Sequence, residues 1–150
     1  MKKFFVICAF AVISAVVFTG CPKETKEDKV DLPKGISAKD IRAVSAAWLE
    51  KLDKGWYSQA YDETAKILKN NLKEDQWLTN MTTYRKPLEA AKKRTEINIF
   101  YAPELPNSPK GDYVIIQYGS VFLNNQALIE SVILMKEEDG SWKVSAYQLK

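Results

Sequence analysis

DYVIIQYGSVFLNNQALIESVILMKEEDGSWKVSAYQLK, residues 112–150, is the stretch that decides the fold. It contains three runs in which apolar residues recur with a period of two, at 113–123, 126–136 and 141–149. The dipeptides Asn124-Asn125 and Asp139-Gly140 separate these runs and supply the positive φ angles of tight hairpin turns. The stretch therefore predicts three antiparallel strands that follow one another as a meander.

The chain before this stretch predicts one more strand and three helices. A strand is predicted at 95–101, followed by a proline-rich loop at 102–112. Ser37 and Asp40 resemble a capping box, and the apolar stripe after them predicts a helix that ends near Gly55. Further helical patterns cover 56–72 and 77–88. The predicted fold class is α+β, with three N-terminal helices packed on a curved, antiparallel, four-stranded meander sheet in a cone-like arrangement.

The strand register singles out one carboxylate. A two-residue turn at Asn124-Asn125 places Gly119 opposite Glu130 and Gln117 opposite Val132. Both faces of the sheet are then apolar, so we expect helices to cover one face and a partner, a ligand or the membrane-proximal environment to cover the other. Glu130 is either an acid in a pocket within the cup or a structural partner of an arginine, Arg85 or Arg94.

Aromatic residues recur at helical and strand spacing, which is typical of a core. They are also the residues that line ligand cavities together with a few polar groups. If the cup of the sheet holds a cavity, we expect its candidate pocket residues to be Glu130, Gln117, Tyr118, Tyr147, Arg85 and Trp48.

The N-terminus has the pattern of a secretory signal over residues 1–20. Two lysines precede an uncharged run of 15 residues, Phe4 to Phe18, and small residues follow it. A helix of that length reaches roughly 22 Å, which is short of a bilayer core of about 30 Å. Cys21 follows directly, and residues 18–21 resemble the lipobox of bacterial lipoproteins, although Phe18 replaces the usual aliphatic residue. A plain secretory signal is the alternative.

The lipobox resemblance implies that Cys21 is acylated and anchors the protein to a membrane. Residues 21–36 are then a charged tether, and 37–150 form one domain. We expect the domain to lie in the cell envelope and to face the periplasm or the cell exterior. In a cell with two membranes the outer membrane is favoured, because Pro22 rather than aspartate follows the cysteine.

Several kinds of chemistry are excluded by residues that the chain lacks. It has no histidine, and its two cysteines, Cys8 and Cys21, fall in the predicted signal and at the lipidation site. Catalytic sites that need histidine or a thiol, and zinc sites built from those residues, are therefore not expected, and we predict no metal and no cofactor. Lys2 and Lys3 account for two of the three net positive charges, so no nucleic-acid partner is expected.

Three motifs also carry a resemblance to a family. The segments AAWLEKLDKGWYSQAYDET, QWLTNMTTYRKPL and the stretch from Leu105 to Lys150 resemble the bacterial family known as domain of unknown function 4019. That family tends to have glycine where this chain has Glu89 and Asn107, and aspartate where it has Lys110. The element order also resembles nuclear-transport-factor-2-like cones. The resemblance implies a fold but no activity.

The resulting prediction is a lipid-anchored envelope protein that acts as a non-catalytic binding or interaction module. Its partner would be another envelope protein or a small apolar ligand. One alternative is a cone-fold enzyme that uses Glu130 as its base. The other is a structural homodimer closed by the second apolar face of the sheet.

Overall fold

The structure is a computed structural model that describes residues 31–150. The predicted signal, the predicted lipidation site at Cys21 and the predicted tether as far as residue 30 lie outside the described residues. Four α-helices, a π-helical turn and a 3-10 turn precede four strands. In chain order the elements are α1 (Ala38–Asp53), α2 (Tyr57–Asp62), α3 (Lys66–Asn71), α4 (Glu74–Asn80), the π-helical turn (Met81–Arg85), the 3-10 turn (Lys86–Leu88), β1 (Ala91–Ala102), β2 (Tyr113–Phe122), β3 (Ala127–Lys136) and β4 (Trp142–Leu149).

Helix α1 is the long helix that the apolar stripe predicts. The Ser37 hydroxyl accepts a hydrogen bond from the backbone N–H of Asp40, which caps the N-terminus. At the other end Gly55 has a φ of 72°, and the N–H groups of Gly55 and Trp56 donate to the carbonyls of Leu52 and Lys51. This is the αL ending that glycine adopts without strain. Its apolar stripe packs on the sheet.

The second predicted helix is interrupted, so α2 and α3 replace a single helix over 56–72. Thr64 leaves the helical path to form a parallel bridge with Val144 of β4. The N–H of Ala65 donates to the Val144 carbonyl at 2.8 Å, and the Thr64 hydroxyl donates to the Tyr61 carbonyl. The break is thus fixed by hydrogen bonds to a strand about 80 residues further along the chain, which no local pattern encodes.

The third predicted helix loses regular geometry halfway along. It begins as α4, continues as the π-helical turn and the 3-10 turn, and ends at Glu89 with φ 62° and ψ −156°. That backbone conformation is populated almost exclusively by glycine. π-Helical segments are rare, and they occur frequently at functional sites.

The four strands form one antiparallel sheet in the order β1-β2-β3-β4, which confirms the predicted α+β fold class. Strand β1 starts at Ala91, four residues before the predicted start. Register shifts within β1 and opposite Ile133 in β3 mark bulges, and bulges bend a strand. Helix α1 packs across β2, β3 and β4.

The predicted register between β2 and β3 is wrong by one residue. Tyr118 lies opposite Glu130 and Ile116 lies opposite Val132. The reason is the length of the turn: Phe122 donates its N–H to the carbonyl of Gln126, so the loop contains three residues, and Asn125 alone among them has a positive φ. A one-residue change in register moves every side chain of β3 to the opposite face of the sheet relative to β2.

The corrected register gives the sheet two different faces. The inner face, which carries Val114, Ile116 and Tyr118, packs against the helices and is buried. Part of the outer face is covered by the chain's own proline-rich loop: the Tyr113 hydroxyl donates to the Pro109 carbonyl, and Leu105 and Pro106 line a cavity together with Ile133. The rest of the outer face exposes apolar side chains, namely Ile97, Phe100, Val121 and Ile129.

The described chain makes contact with the core from its first residues. Leu32 and Ile36, which lie within the predicted tether, are partly buried against the core. No helix within residues 31–150 combines the length and the apolar character that crossing a bilayer requires.

Candidate functional site

A cleft opens where the irregular helical segment faces the ends of β3 and β4. Its volume is about 490 Å³, within the range of small-molecule sites. One wall comes from α4 and the two turns after it, and the other from the sheet. The lining side chains are Leu72, Trp77, Asn80, Met81, Tyr84, Arg85, Leu88, Gln126, Leu128, Tyr147 and Leu149.

Two aromatic rings, Trp77 and Tyr147, line the inner end of this cleft, and a third, Trp48, packs behind them. Trp48 contacts Trp77 at a centroid distance of 5.9 Å and Tyr147 at 5.4 Å, the latter edge to face. The indole N–H groups are both satisfied, because Trp48 donates to the Ala60 carbonyl and Trp77 donates to the Tyr57 carbonyl. The indoles are therefore held in place by packing and by hydrogen bonds to α2, which makes this end of the cleft rigid.

Asp53, the last residue of α1, joins two arginines behind the cleft. Its carboxylate accepts hydrogen bonds from Arg85 and, through both oxygens, from Arg94. It also accepts the backbone N–H of Ala91 at the start of β1. This single carboxylate therefore ties α1 to the π-helical turn and to the sheet.

Glu130 is fully buried and is saturated with donors. Its Oε2 accepts from Arg94 Nε and from the Ser120 hydroxyl, each at 2.5 Å, and its Oε1 accepts from the Tyr147 hydroxyl at 2.6 Å. A general base must accept a proton from a substrate, and here each oxygen already binds protein donors. Of the two predicted roles, the contacts match the structural one, with Arg94 rather than Arg85 as the partner.

The protonation states of Tyr147 and Arg94 follow from their burial and from their partners. Burial, followed by the charge of Glu130 and the hydrogen bond to it, raises the pKa of Tyr147 far above its usual value. Burial on its own would lower the pKa of Arg94, but its hydrogen bonds to Asp53 and Glu130 outweigh that effect and raise it. Tyr147 is thus a donor and Arg94 a cation at any physiological pH.

Arg85 is the one charged residue among the described residues that line the cleft, and it is fully buried. Its Cζ lies over the Phe122 ring, 4.8 Å from the ring centre. Nη1 donates to the carbonyl of the strained Glu89, and Nη2 donates to Asp53. Nε is buried with no hydrogen-bond partner within residues 31–150.

The structure separates the six predicted pocket residues into three groups. Arg85 and Tyr147 line the cleft. Glu130 and Trp48 lie behind Tyr147 and contact it directly. The other two are elsewhere: Tyr118 donates to the Ser45 hydroxyl under α1, and Gln117 lies on the outer face of the sheet near Ser131.

Two residues of the buried charge cluster, Asp53 and Ser120, have no predicted role in the sequence analysis. Asp53 ends an amphipathic helix and Ser120 lies in an apolar strand, so neither stands out in the sequence. Their contacts join residues separated by 41 and 10 positions. The described residues contain no group of three or more carboxylate, cysteine or histidine side chains that could hold a metal ion.

The comparisons with known proteins identify a family. Over residues 44–147 the chain matches the family described as "Protein of unknown function (DUF4019)". Neither a curated protein nor a solved structure matches the chain. The matched region covers more than half of the chain and extends from α1 into β4, so it includes the buried charge cluster and the cleft lining except Leu149. The protein therefore belongs to the DUF4019 family of proteins of unknown function.

Proposed function

We propose that this protein is a lipid-anchored component of the bacterial cell envelope whose domain is a non-catalytic binding module for a small, largely apolar ligand. The single observation that carries the binding role is the cleft of about 490 Å³, lined mainly by apolar side chains and closed by Trp77 and Tyr147. Clefts of this size with few polar groups are the usual form of small-molecule sites.

A non-catalytic role is supported by the chemistry of the cleft. Two carboxylates lie behind it, and both are occupied by protein donors: Glu130 accepts from Arg94, Ser120 and Tyr147, and Asp53 accepts from Arg85, Arg94 and the backbone N–H of Ala91. Hydrolysis or proton transfer would require a free base within reach of a bound molecule. The arrangement supports binding and orientation rather than bond cleavage.

The envelope location is supported by the sequence alone. The lipobox-like residues 18–21 support a lipid anchor at Cys21, and Pro22 supports the outer membrane in a cell with two membranes. Buried acyl chains contribute about 0.8 kcal/mol per methylene, so several chains would hold the domain at the membrane permanently. A nuclear-transport-factor-2-like fold is also part of the proposal, supported by the order of helices followed by a bulged meander sheet.

The cleft is tested with octanol as a small apolar probe. The full chain, labelled with nitrogen-15 and placed in lipid nanodiscs, is titrated with octanol while the indole N–H signals are followed. We expect the signal of Trp77, which lines the cleft, to move, and those of Trp56 and Trp142, which do not, to stay. Empty nanodiscs measure how much octanol enters the lipid.

Two matched variants locate the binding. Leu128→Glu places a charge in the lining of the cleft and should abolish the response of Trp77. Leu123→Glu places the same charge at an exposed leucine outside the lining and should leave it unchanged. Equal responses in the two variants, or no movement of the Trp77 signal in the unsubstituted protein, would refute the cleft as a binding site.

A homodimer is a second candidate, favoured by the uncovered part of the outer sheet face. Ile97 is 59% exposed and Ile129 is 42% exposed, and Phe100 and Val121 on the same face are exposed as well. Light scattering of the unsubstituted protein and of Ile129→Glu tests this candidate. A monomeric mass for both proteins would exclude it.

A further inference from the structure

Arg85 has more hydrogen-bond donors than the protein satisfies. A guanidinium carries five N–H bonds. Nη1 and Nη2 donate to Glu89 and Asp53, whereas the single N–H of Nε is buried without an acceptor in the described residues. A buried donor without a partner is costly, and it is costlier when the group is charged. An acceptor supplied from outside the protein would remove that cost.

The surroundings of Arg85 restrict where such an acceptor can enter. The guanidinium carbon lies over the Phe122 ring, and the Nη atoms donate to Asp53 and to the Glu89 carbonyl. Arg85 itself lines the cleft, next to Leu88 and Met81 of the same helical segment. Arg85 has no exposed surface, so an acceptor reaches it only when side chains of the cleft lining shift, and the cleft is the open space from which it enters.

The charge of the cluster indicates what kind of acceptor is preferred. Arg85 and Arg94 are matched by Asp53 and Glu130, which join them through ion pairs. A ligand carboxylate would add a third, unmatched anion to a buried site, and burial of an unmatched charge is unfavourable. A ligand ammonium would bring further donors and no acceptor. A neutral carbonyl or hydroxyl oxygen satisfies Nε and leaves the charges balanced.

We propose that the cleft selects neutral amphiphiles, in which an alkyl chain packs against the apolar lining and one carbonyl or hydroxyl oxygen accepts the N–H of Arg85 Nε. This proposal rests on the proposed binding function and adds the chemical class of the ligand to it. Amides, esters and alcohols of medium-chain length belong to that class, whereas free fatty acids and alkylamines do not.

The proposal is tested with three probes of equal chain length: octanamide, octanoate and octylammonium. The nitrogen-15-labelled full chain in nanodiscs is titrated with each, and empty nanodiscs again measure partition into lipid. The Trp77 indole signal reports occupancy of the cleft, and the Arg85 Nε–H signal, assigned by its loss in Arg85→Lys, reports contact with an acceptor. We expect octanamide to bind about ten-fold more tightly than the two charged probes and to move the Arg85 signal.

A charge-matched variant separates the hydrogen bond from the apolar contacts. Arg85→Met combined with Asp53→Asn removes one charge of each sign, so the remaining pair of Arg94 and Glu130 stays balanced. The preference for octanamide should disappear, with all three probes bound to within about three-fold of one another. If circular dichroism shows that the double variant does not fold, Arg85→Lys, which keeps the charge and lacks Nε–H, takes its place.

The possible outcomes distinguish the two proposals. Equal affinities in the unsubstituted protein, or tighter binding of octanoate, would overturn the selection of neutral amphiphiles and leave the binding function standing. Movement of the Trp77 signal without movement of the Arg85 signal would overturn it in the same way. A Trp77 signal that responds to none of the probes would overturn both proposals.

Discussion

Arg94 and Glu130 form an ion pair across the width of β2, since they belong to β1 and β3, which are not neighbours in the sheet. Arg94 Nε lies 2.5 Å from Glu130 Oε2, over Ser120, whose hydroxyl donates to the same oxygen. The glutamate is fully buried and the arginine side chain is 18% exposed. Both side chains are therefore largely removed from water. We expect loss of the pair to lower the free energy of unfolding of the whole domain.

The first prediction concerns this pair. Glu130→Gln leaves the buried cluster with one unmatched positive charge, so we expect the free energy of unfolding to fall by about 3 kcal/mol. Adding Arg94→Gln restores the charge balance and should recover part of that loss. Urea melts of the two single variants and the double variant measure the coupling, which should be about 1 kcal/mol or more.

A half-exposed ion pair provides the control for this cycle. Arg42 and Glu96 form a two-pronged pair with side chains that are 39% and 27% exposed. Glu96→Gln should cost no more than about 1 kcal/mol, because solvent screens the charge that remains. Equal costs for Glu96→Gln and Glu130→Gln would show that burial of the cluster does not govern its contribution.

The second prediction concerns the strained residue that holds Arg85. Glu89 is exposed, its φ is 62° and its ψ is −156°, and its carbonyl accepts from Arg85 Nη1. Glycine adopts this conformation without a clash, because it has no Cβ. Glu89→Gly should therefore stabilise the fold by about 1 kcal/mol, even though glycine increases the entropy of the unfolded chain.

Glu89→Ala is the matched variant, because it removes the same carboxylate and keeps Cβ. Its thermal midpoint should lie at or below that of the unsubstituted protein, and well below that of Glu89→Gly. If alanine and glycine raise the midpoint equally, the carboxylate rather than the backbone conformation is the source of the effect.

Much of the fold follows from local patterns, and the site follows from contacts that local patterns do not encode. The period-two runs located β2, β3 and β4, and the apolar stripe located α1, because each of these elements buries one face. The predicted register between β2 and β3 is wrong, because it depends on whether Asn124-Asn125 forms a two-residue turn or the end of a three-residue turn. Both turns suit asparagine, and only the packing of Tyr118 and Glu130 on the inner face selects between them.

The helix break at Thr64 and the role of Asp53 have the same origin. Thr64 pairs with Val144, and Asp53 pairs with Arg94, so each is determined by a residue that is distant in sequence. Tertiary contacts of this kind override helix propensity. Glu130 stands out in the sequence, since a carboxylate in an apolar strand needs a partner, but the sequence does not decide between Arg85 and Arg94 as that partner.

The third prediction concerns the anchor. In a bacterial host the mature protein should begin at an acylated Cys21 and fractionate with membranes, because several acyl chains make dissociation negligible. Cys21→Ser should yield a protein that is not acylated. Its signal is then either retained or cut elsewhere, and any product without the signal should appear in the soluble fraction. Mass spectrometry of the N-terminal peptide distinguishes these products. A Cys21→Ser protein that lacks its signal and still fractionates with membranes would contradict the lipid anchor.

The last prediction concerns stability in alkaline solution, and it follows from Tyr147. Burial, then the charge of Glu130 and the hydrogen bond to it, raise the pKa of Tyr147 above the ordinary value of 10.0. Above about pH 10 the unfolded chain therefore loses the phenolic proton while the folded protein keeps it. The unfolded state then binds fewer protons than the folded state, so the free energy of unfolding falls as the pH rises through this window, and the contribution is fully present below it.

Tyr147→Phe removes that titration. Its hydrogen bond to Glu130 is lost at every pH, which lowers stability by a constant of about 1 kcal/mol, whereas the dependence on pH becomes less steep by up to about 1.4 kcal/mol per pH unit above pH 10. Urea melts between about pH 8 and pH 11 separate the two effects, with Tyr84→Phe, at a ring that is 69% exposed, as the reference variant. Parallel curves for Tyr147→Phe and the unsubstituted protein would show that this phenol ionises equally well in both states, and would place it in water rather than against Glu130.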